Sequence, residues 1–287
     1  MRDFTGGVAH LSINTATVRK QLALPAIIEA CARRGIQAID PWRDQVAAAG
    51  LAAIARQLKD AGVVLSGYCR GGFFTAADTA GLHEALEDNR KAIDEAKILG
   101  APCLVMVVGS LPGALQGSPT SKDIGLARAQ VVEGFAATLE YARQVGMPLA
   151  IEPLHPMQAA ERACINTLEQ ALDICDALDP DRSGMLGVAL DVYHVWWDPK
   201  LESQIARAGR DRLLAYHICD WLVPTRDLLN DRGMMGDGII ELQKIRGWVE
   251  AAGYAGFAEV EIFSDRLWNL PAKDLLDTCI ARYQTVS

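Results

Sequence analysis

Five times along this chain an amphipathic segment closes on a glycine and an apolar run opens within a residue or two. This happens at Arg34-Gly35-Ile36, Ala61-Gly62-Val63, Leu99-Gly100-Ala101, Val145-Gly146-Met147 and Ala252-Gly253-Tyr254. Glycine ends helices because the residue past the last turn adopts a left-handed conformation that a Cβ opposes. Each punctuation is therefore a helix feeding a strand. The runs that follow are short and continuous, as in Cys103-Leu104-Val105-Met106-Val107-Val108, the pattern of parallel strands covered on both faces. Between them lie helical stretches such as 124–145, where Leu126, Ala129, Val131, Val132, Phe135, Leu139 and Ala142 mark an inward face. Strands are expected at 8–13, 36–41, 63–69, 103–108, 148–153, 187–191, 213–217 and 257–262. Strand-helix units repeated in this way predict a closed (β/α)8 barrel. A doubly wound open sheet is the alternative, but no GxGxxG follows the first strand and no P-loop occurs. Without a Pro/Gly/Ser-rich linker or short repeat, residues 1–287 are read as one barrel domain.

Half the residues are hydrophobic, enough to close a core without staples, and the formal charge is -8. That balance argues against nonspecific grip on nucleic acid or an anionic membrane and favours a small-molecule partner. The seven cysteines form no CxxC pair and read as reduced thiols. No apolar segment opens the chain and no stretch approaches a membrane span, so a cytoplasmic protein is expected. A homo-oligomer is compatible with all of this.

Four side chains stand at the polar ends of apolar runs: Glu152 after Leu149-Ala150-Ile151, Asp191 after Gly187-Val188-Ala189-Leu190, His217 after Leu213-Leu214-Ala215-Tyr216, and Glu261 after Val260. In a parallel barrel the carboxyl ends of all strands share one rim, where such enzymes place their chemistry. Three carboxylates and one imidazole converging there suit a single divalent ion such as Mn2+, Mg2+, Co2+ or Zn2+. An ion so held polarises adjacent sugar oxygens while a glutamate removes the proton between them. Any one strand-end acid can instead cap a helix or pair with an arginine. Glu259, two residues before Glu261, is a rival last ligand.

His194 and His155 each follow a ligand by three residues and are candidates to bind substrate hydroxyls. His10, taken to end the first strand, is read either as lining the pocket floor or as a core histidine, and His83 as a surface residue on a helix. Trp42, Trp196, Trp197, Trp221 and Trp268 follow expected strands, where flat rings stack on sugar C–H faces, whereas Trp248 reads as core. Trp197 and Trp221 are the candidates taken for the pocket. Arg43, Arg70, Lys122, Arg226 and Arg232 fall in rim loops, and Arg70 and Arg226 are the candidates for an anionic substrate group. Gly236-Asp237-Gly238 reads as a turn capping a helix from Ile239. No G-x-S-x-G elbow occurs, and Cys69 and Cys219 lack an evident base partner.

The segments Ile151-Glu152-Pro153-Leu154-His155-Pro156, Leu190-Asp191-Val192-Tyr193-His194, His217-Ile218-Cys219-Asp220 and Val260-Glu261-Ile262-Phe263 resemble the four motifs of the xylose isomerase-like TIM-barrel family of sugar isomerases and epimerases. The resemblance spans essentially the whole chain. It implies that Glu152, Asp191, His217 and Glu261 bind one divalent cation, that Glu152 and Glu261 form the acid/base pair, and that His194 binds substrate. His155 stands where the tagatose-epimerase branch usually has Asn, and Gln158 where it has a glutamate. These departures, the Trp196-Trp197 pair and the long loop after His217 point to a larger or modified sugar.

The expected activity is metal-dependent isomerisation or epimerisation of a sugar or sugar derivative through an enediolate. A dehydratase or lyase on a keto-inositol or oxidised glycoside shares the first step, and a non-catalytic sugar-binding barrel shares the pocket. A phosphodiester-cleaving DNA-repair enzyme would need several zinc ions and a basic face, against five histidines and the negative charge here.

Overall fold

The computed structural model describes residue 4 and residues 7–286. Its strands in chain order are β1 (Leu11–Asn14), β2 (Ala38–Asp40), β3 (Val64–Leu65), β4 (Cys69–Gly72), β5 (Leu104–Val107), β6 (Leu149–Glu152), β7 (Leu186–Asp191), β8 (Leu213–Ile218), β9 (Asp220–Trp221), β10 (Arg232–Gly233) and β11 (Ala258–Val260). The helices are α1 (Leu24–Ala32), α2 (Arg43–Ala49), α3 (Leu51–Ala61), α4 (Thr79–Leu99), α5 (Ile124–Val145), α6 (Leu168–Leu178), α7 (Val192–Val195), α8 (Leu201–Arg212), α9 (Leu242–Ala251) and α10 (Ala272–Val286).

Nine strands form one parallel sheet in the order β3-β2-β1-β11-β8-β7-β6-β5-β4. The two ends of that order, β3 and β4, are halves of a single stave interrupted at residues 66–68. The Cys69 N–H donates to Pro41 O at 3.1 Å and the Val105 N–H to Tyr68 O at 3.0 Å, so the interrupted stave bonds to both neighbours and the sheet closes on itself. The architecture is a TIM barrel, and closure leaves no strand edge to solvent. The five punctuation glycines all have positive φ, from 66° at Gly62 to 86° at Gly253.

Side chains alternate across each stave. On β6, β7 and β8 the outward residues Leu149, Ile151, Val188, Leu190, Leu213 and Tyr216 bury against the helices. The inward ones are small: Ala150, Ala189 and Ala215 pack with Cys69, Cys103 and Val105 in a separate cluster inside the barrel. One residue pair further along, the same inward positions become Glu152, Asp191 and His217. A floor of small side chains thus leaves room for a polar layer at the carboxyl ends. At the opposite end, the buried Arg212 guanidinium donates to Asp179 Oδ2 at 2.7 Å and Leu186 O at 2.6 Å, tying α6 to β7.

Several sequence expectations shift. On α5 the buried face is Ala127, Val131, Phe135, Leu139 and Ala142, whereas Leu126, Ala129 and Val132 are exposed. With Gly134 and Thr138 the inward stripe follows i, i+3 and i+4 spacing, and Leu126, Ala129 and Val132 lie outside it. His10 precedes β1 rather than ending it: its carbonyl accepts from Ala258 N–H and its ring meets Phe4 edge-on, far from the rim. His83 is exposed on α4, and all seven cysteines are free and buried. The helix after Gly238 begins at Leu242, because Asp220 takes the N–H groups of Gly236, Gly238 and Ile240 and holds that stretch non-helical. No described helix is long and apolar enough to cross a membrane.

Candidate active site

Adjacent staves set the site by register. Asp191 pairs with His217, His217 with Glu259, and Glu152 with Val107, so the polar positions of β6, β7, β8 and β11 point into the barrel mouth together. One ligand atom each from Glu152, Asp191, His217 and Glu261 lies within 4.8 Å of the other three, and all four residues are buried. Donors about 2.0–2.3 Å from a common ion cannot be much further apart than that. His217 Nδ1 lies 3.3 Å from Glu152 Oε1 and 3.6 Å from Glu261 Oε2. Neither His217 Nδ1 nor Glu152 Oε1 has a hydrogen-bond partner. Buried polar atoms rarely stay unsatisfied, and two facing each other across such a gap fit a divalent cation between them.

Glu261 and Glu259 both point inward, one layer apart. Glu261 lies with Glu152 and Asp191 beside His217 Nδ1, while Glu259 lies on the opposite edge of the imidazole, its Oε1 3.5 Å from His217 Nε2. Asn14 Nδ2 donates to Glu259 Oε1 at 2.8 Å and Ser66 Oγ to its Oε2 at 2.6 Å. That support orients Glu259 and through it the His217 ring. Asp40, also buried, completes a second acidic group around His217 with Glu259. It stands at the polar end of the 36–41 run, the same signal that marks Glu152.

The structure adds a cation that the sequence left unselected among the rim arginines. Arg232 Nη1 donates to Asp191 Oδ2 at 2.8 Å and Glu261 Oε2 at 3.1 Å, and Nη2 lies 3.1 Å from His194 Nε2. It arrives on the antiparallel hairpin of β9 and β10, where Arg232 pairs with Trp221. Burial pushes the Glu261 carboxyl up, but Arg232 and His217 outweigh it and hold Glu261 at about 2. Burial pushes Glu152 up to about 7, with no arginine bonded to it. Burial lowers His194 to about 3, so the ring is neutral. Its Nδ1 faces the His155 N–H at 3.1 Å and its Nε2 faces the Arg232 guanidinium, so each ring nitrogen meets a donor.

A narrow cleft leads to these groups, lined among others by Trp42, Arg70, Gln158, Arg162, His194 and Phe263. Of the residues expected to bind substrate, His194 and Arg70 line it, and His155, Trp197, Trp221 and Arg226 do not. Trp221 is buried among His155 at 4.6 Å, Tyr193 at 4.7 Å and Trp196 at 5.8 Å between ring centroids, an aromatic pack that supports the hairpin. The Trp197 indole N–H donates to the His194 carbonyl at 2.8 Å, and His155 Nδ1 accepts from the Met157 N–H at 3.3 Å. Arg226 is exposed and borders an outer basin with Gln158 and Arg162. Trp42 is the tryptophan that reaches the cleft, its indole N–H donating to Asn14 Oδ1 at 2.8 Å. Arg43 is engaged by Asp88 and Glu95. The Cys69 and Cys219 thiols are held well above the ordinary range, by burial first and then by neighbouring carboxylates such as Asp40 and Asp191, and are poor nucleophiles.

Fold and site together define a TIM barrel with a buried carboxylate-imidazole cluster at its carboxyl-end mouth. The chain belongs to the xylose isomerase-like TIM barrel family, whose model matches residues 28–282. An inosose isomerase from Halalkalibacterium halodurans is 26% identical over 209 residues, 72% of this chain and 69% of the relative. Among solved structures, protein SMc04130 from Sinorhizobium meliloti 1021 is 57% identical, with a TM-score of 0.92 over 98% of this chain and 99% of that one. The IolI protein with a bound zinc atom superposes with a TM-score of 0.81 at 20% identity, over 96% and 97% of the two chains. The 3-keto-D-glucoside 4-epimerase YcjR from E. coli does so with a TM-score of 0.73 at 16% identity, over 96% and 99%.

Proposed function

We propose that the protein is a divalent-metal-dependent isomerase or epimerase of a sugar derivative, acting by proton abstraction beside a carbonyl to give an enediolate. The observation that carries this reading is the facing pair of unpartnered buried atoms, His217 Nδ1 and Glu152 Oε1, inside a four-residue set sized for one ion. The inosose isomerase relative and the ketoglycoside epimerase of like fold act on carbonyl-bearing cyclitols or sugars by name, which supports the substrate class. A divalent ion held by Glu152, Asp191, His217 and Glu261 would supply Lewis-acid polarisation of a carbonyl and its neighbouring hydroxyl.

The chain's own residues divide the remaining work. Glu152, with no arginine bonded to it and the higher proton affinity, is the group placed to take the carbon-bound proton. Glu261, tied to Arg232, is held ionised on the other side of the cluster and is the partner of the pair. Arg232, beside the neutral His194 ring, presents its guanidinium to developing negative charge on oxygen. Glu152→Gln and Glu261→Gln should each cut solvent-deuterium incorporation into an inosose by at least about 10²-fold, read by mass spectrometry. Full incorporation by both variants would remove the acid/base assignment.

A further inference from the structure

Arg232 is spent on Asp191 and Glu261, but two other guanidiniums at the cleft have no such partner. Arg70 and Arg162 both line it, beside Glu152 and Gln158. Among the described residues no ion pair reaches either side chain, and the Nε atom of each is buried with no hydrogen-bond partner. Arg70 instead sits over aromatic rings, its guanidinium carbon 4.1 Å from the Phe73 centroid and 5.6 Å from that of Trp42. Arg162 also borders the outer basin, so it stands where the two spaces meet.

Half-buried cations without a counter-charge are costly, and a folded chain keeps them where something supplies the anion. The planar forked donors of arginine match the two oxygens of a carboxylate or phosphate, whereas a neutral hydroxyl leaves most of them empty. Resting on the sugar-derivative reading above, we propose that the substrate carries an oxyanion, carboxylate or phosphate, received between Arg70 and Arg162. Burial, and then the charge of Arg162, lower Arg70 to about 10, in keeping with two cations that share a site and gain from one anion. The protein would then discriminate an acidic sugar derivative from its neutral counterpart by charge at the cleft wall, apart from the groups that carry the chemistry.

Three probes of one carbon skeleton test this by titration calorimetry on the metal-loaded protein: D-gluconate, D-glucitol 6-phosphate and neutral D-glucitol. At least one anionic probe should bind about tenfold or more tighter than D-glucitol. Whichever anion is tighter identifies the group as carboxylate or phosphate. Arg70→Gln and Arg162→Gln should each bring that ratio to within about twofold, with melting temperatures reporting intact folding, and Arg162→Lys should restore part of it. Equal binding of the three probes, binding of none, or a preference that survives both glutamine variants overturns the proposal; the last would mean the anion sits on the ion instead. A neutral inosose that exchanges its proton while the probes bind alike would leave the reaction standing and remove only the oxyanion.

Discussion

At the residue scale the site is governed by which carboxylates have a cation and which do not. Glu152 has no arginine, only the His217 imidazole 3.3 Å away, and burial raises its affinity for a proton from the ordinary 4.5 to about 7. An acid raised in the folded state binds more protons folded than unfolded between those values, so stability falls as pH climbs through that window. For the metal-stripped protein the loss assignable to Glu152 is up to about 3 kcal/mol. Denaturant melts of chelator-treated protein at pH 5 and pH 8 should show this fall in the wild type and a smaller one in Glu152→Gln; parallel profiles would show that Glu152 does not carry it. The acids themselves were legible in the sequence because each ends an apolar run, and Asp40 carries the same mark. Arg232 and Arg162 were not, because nothing local to Asp231-Arg232-Gly233 or Glu161-Arg162-Ala163 says which way a loop side chain turns.

The element that turns Arg232 inward is the hairpin of β9 and β10, and its anchor is Asp220. That buried carboxylate accepts the N–H groups of Gly236 and Gly238 at 2.9 Å each and of Ile240 at 3.0 Å. Gly233 faces it across the hairpin. Asp220→Ala would orphan those donors at once and is expected to cost about 3 kcal/mol of stability. It should also loosen Arg232 from Asp191 and Glu261, so that activity falls further than the folded fraction does in a paired melt and rate measurement. A rate that tracks the folded fraction alone would show that the hairpin does not position Arg232. The staves were readable as elements because glycine caps and apolar runs are local signals. The break between β3 and β4 and the start of α9 depend on partners distant in sequence, and α5 was read with too wide an apolar face because Leu126 and Val132 sit on its flanks.

Across the whole molecule the barrel gathers buried carboxylates at one mouth over a floor of Ala150, Ala189 and Ala215. Packing acids so closely is unfavourable unless positive charge joins them, and Arg232 with His217 answers only part of that need. A divalent ion is the proposed remainder. The direct test is the deuterium content of an inosose incubated in heavy water with metal-stripped and reloaded protein. Stripped protein should leave the carbon beside the carbonyl undeuterated, and one equivalent of Mn2+ per chain should restore exchange. Exchange undiminished after stripping, in protein shown by elemental analysis to hold no metal, would contradict the account.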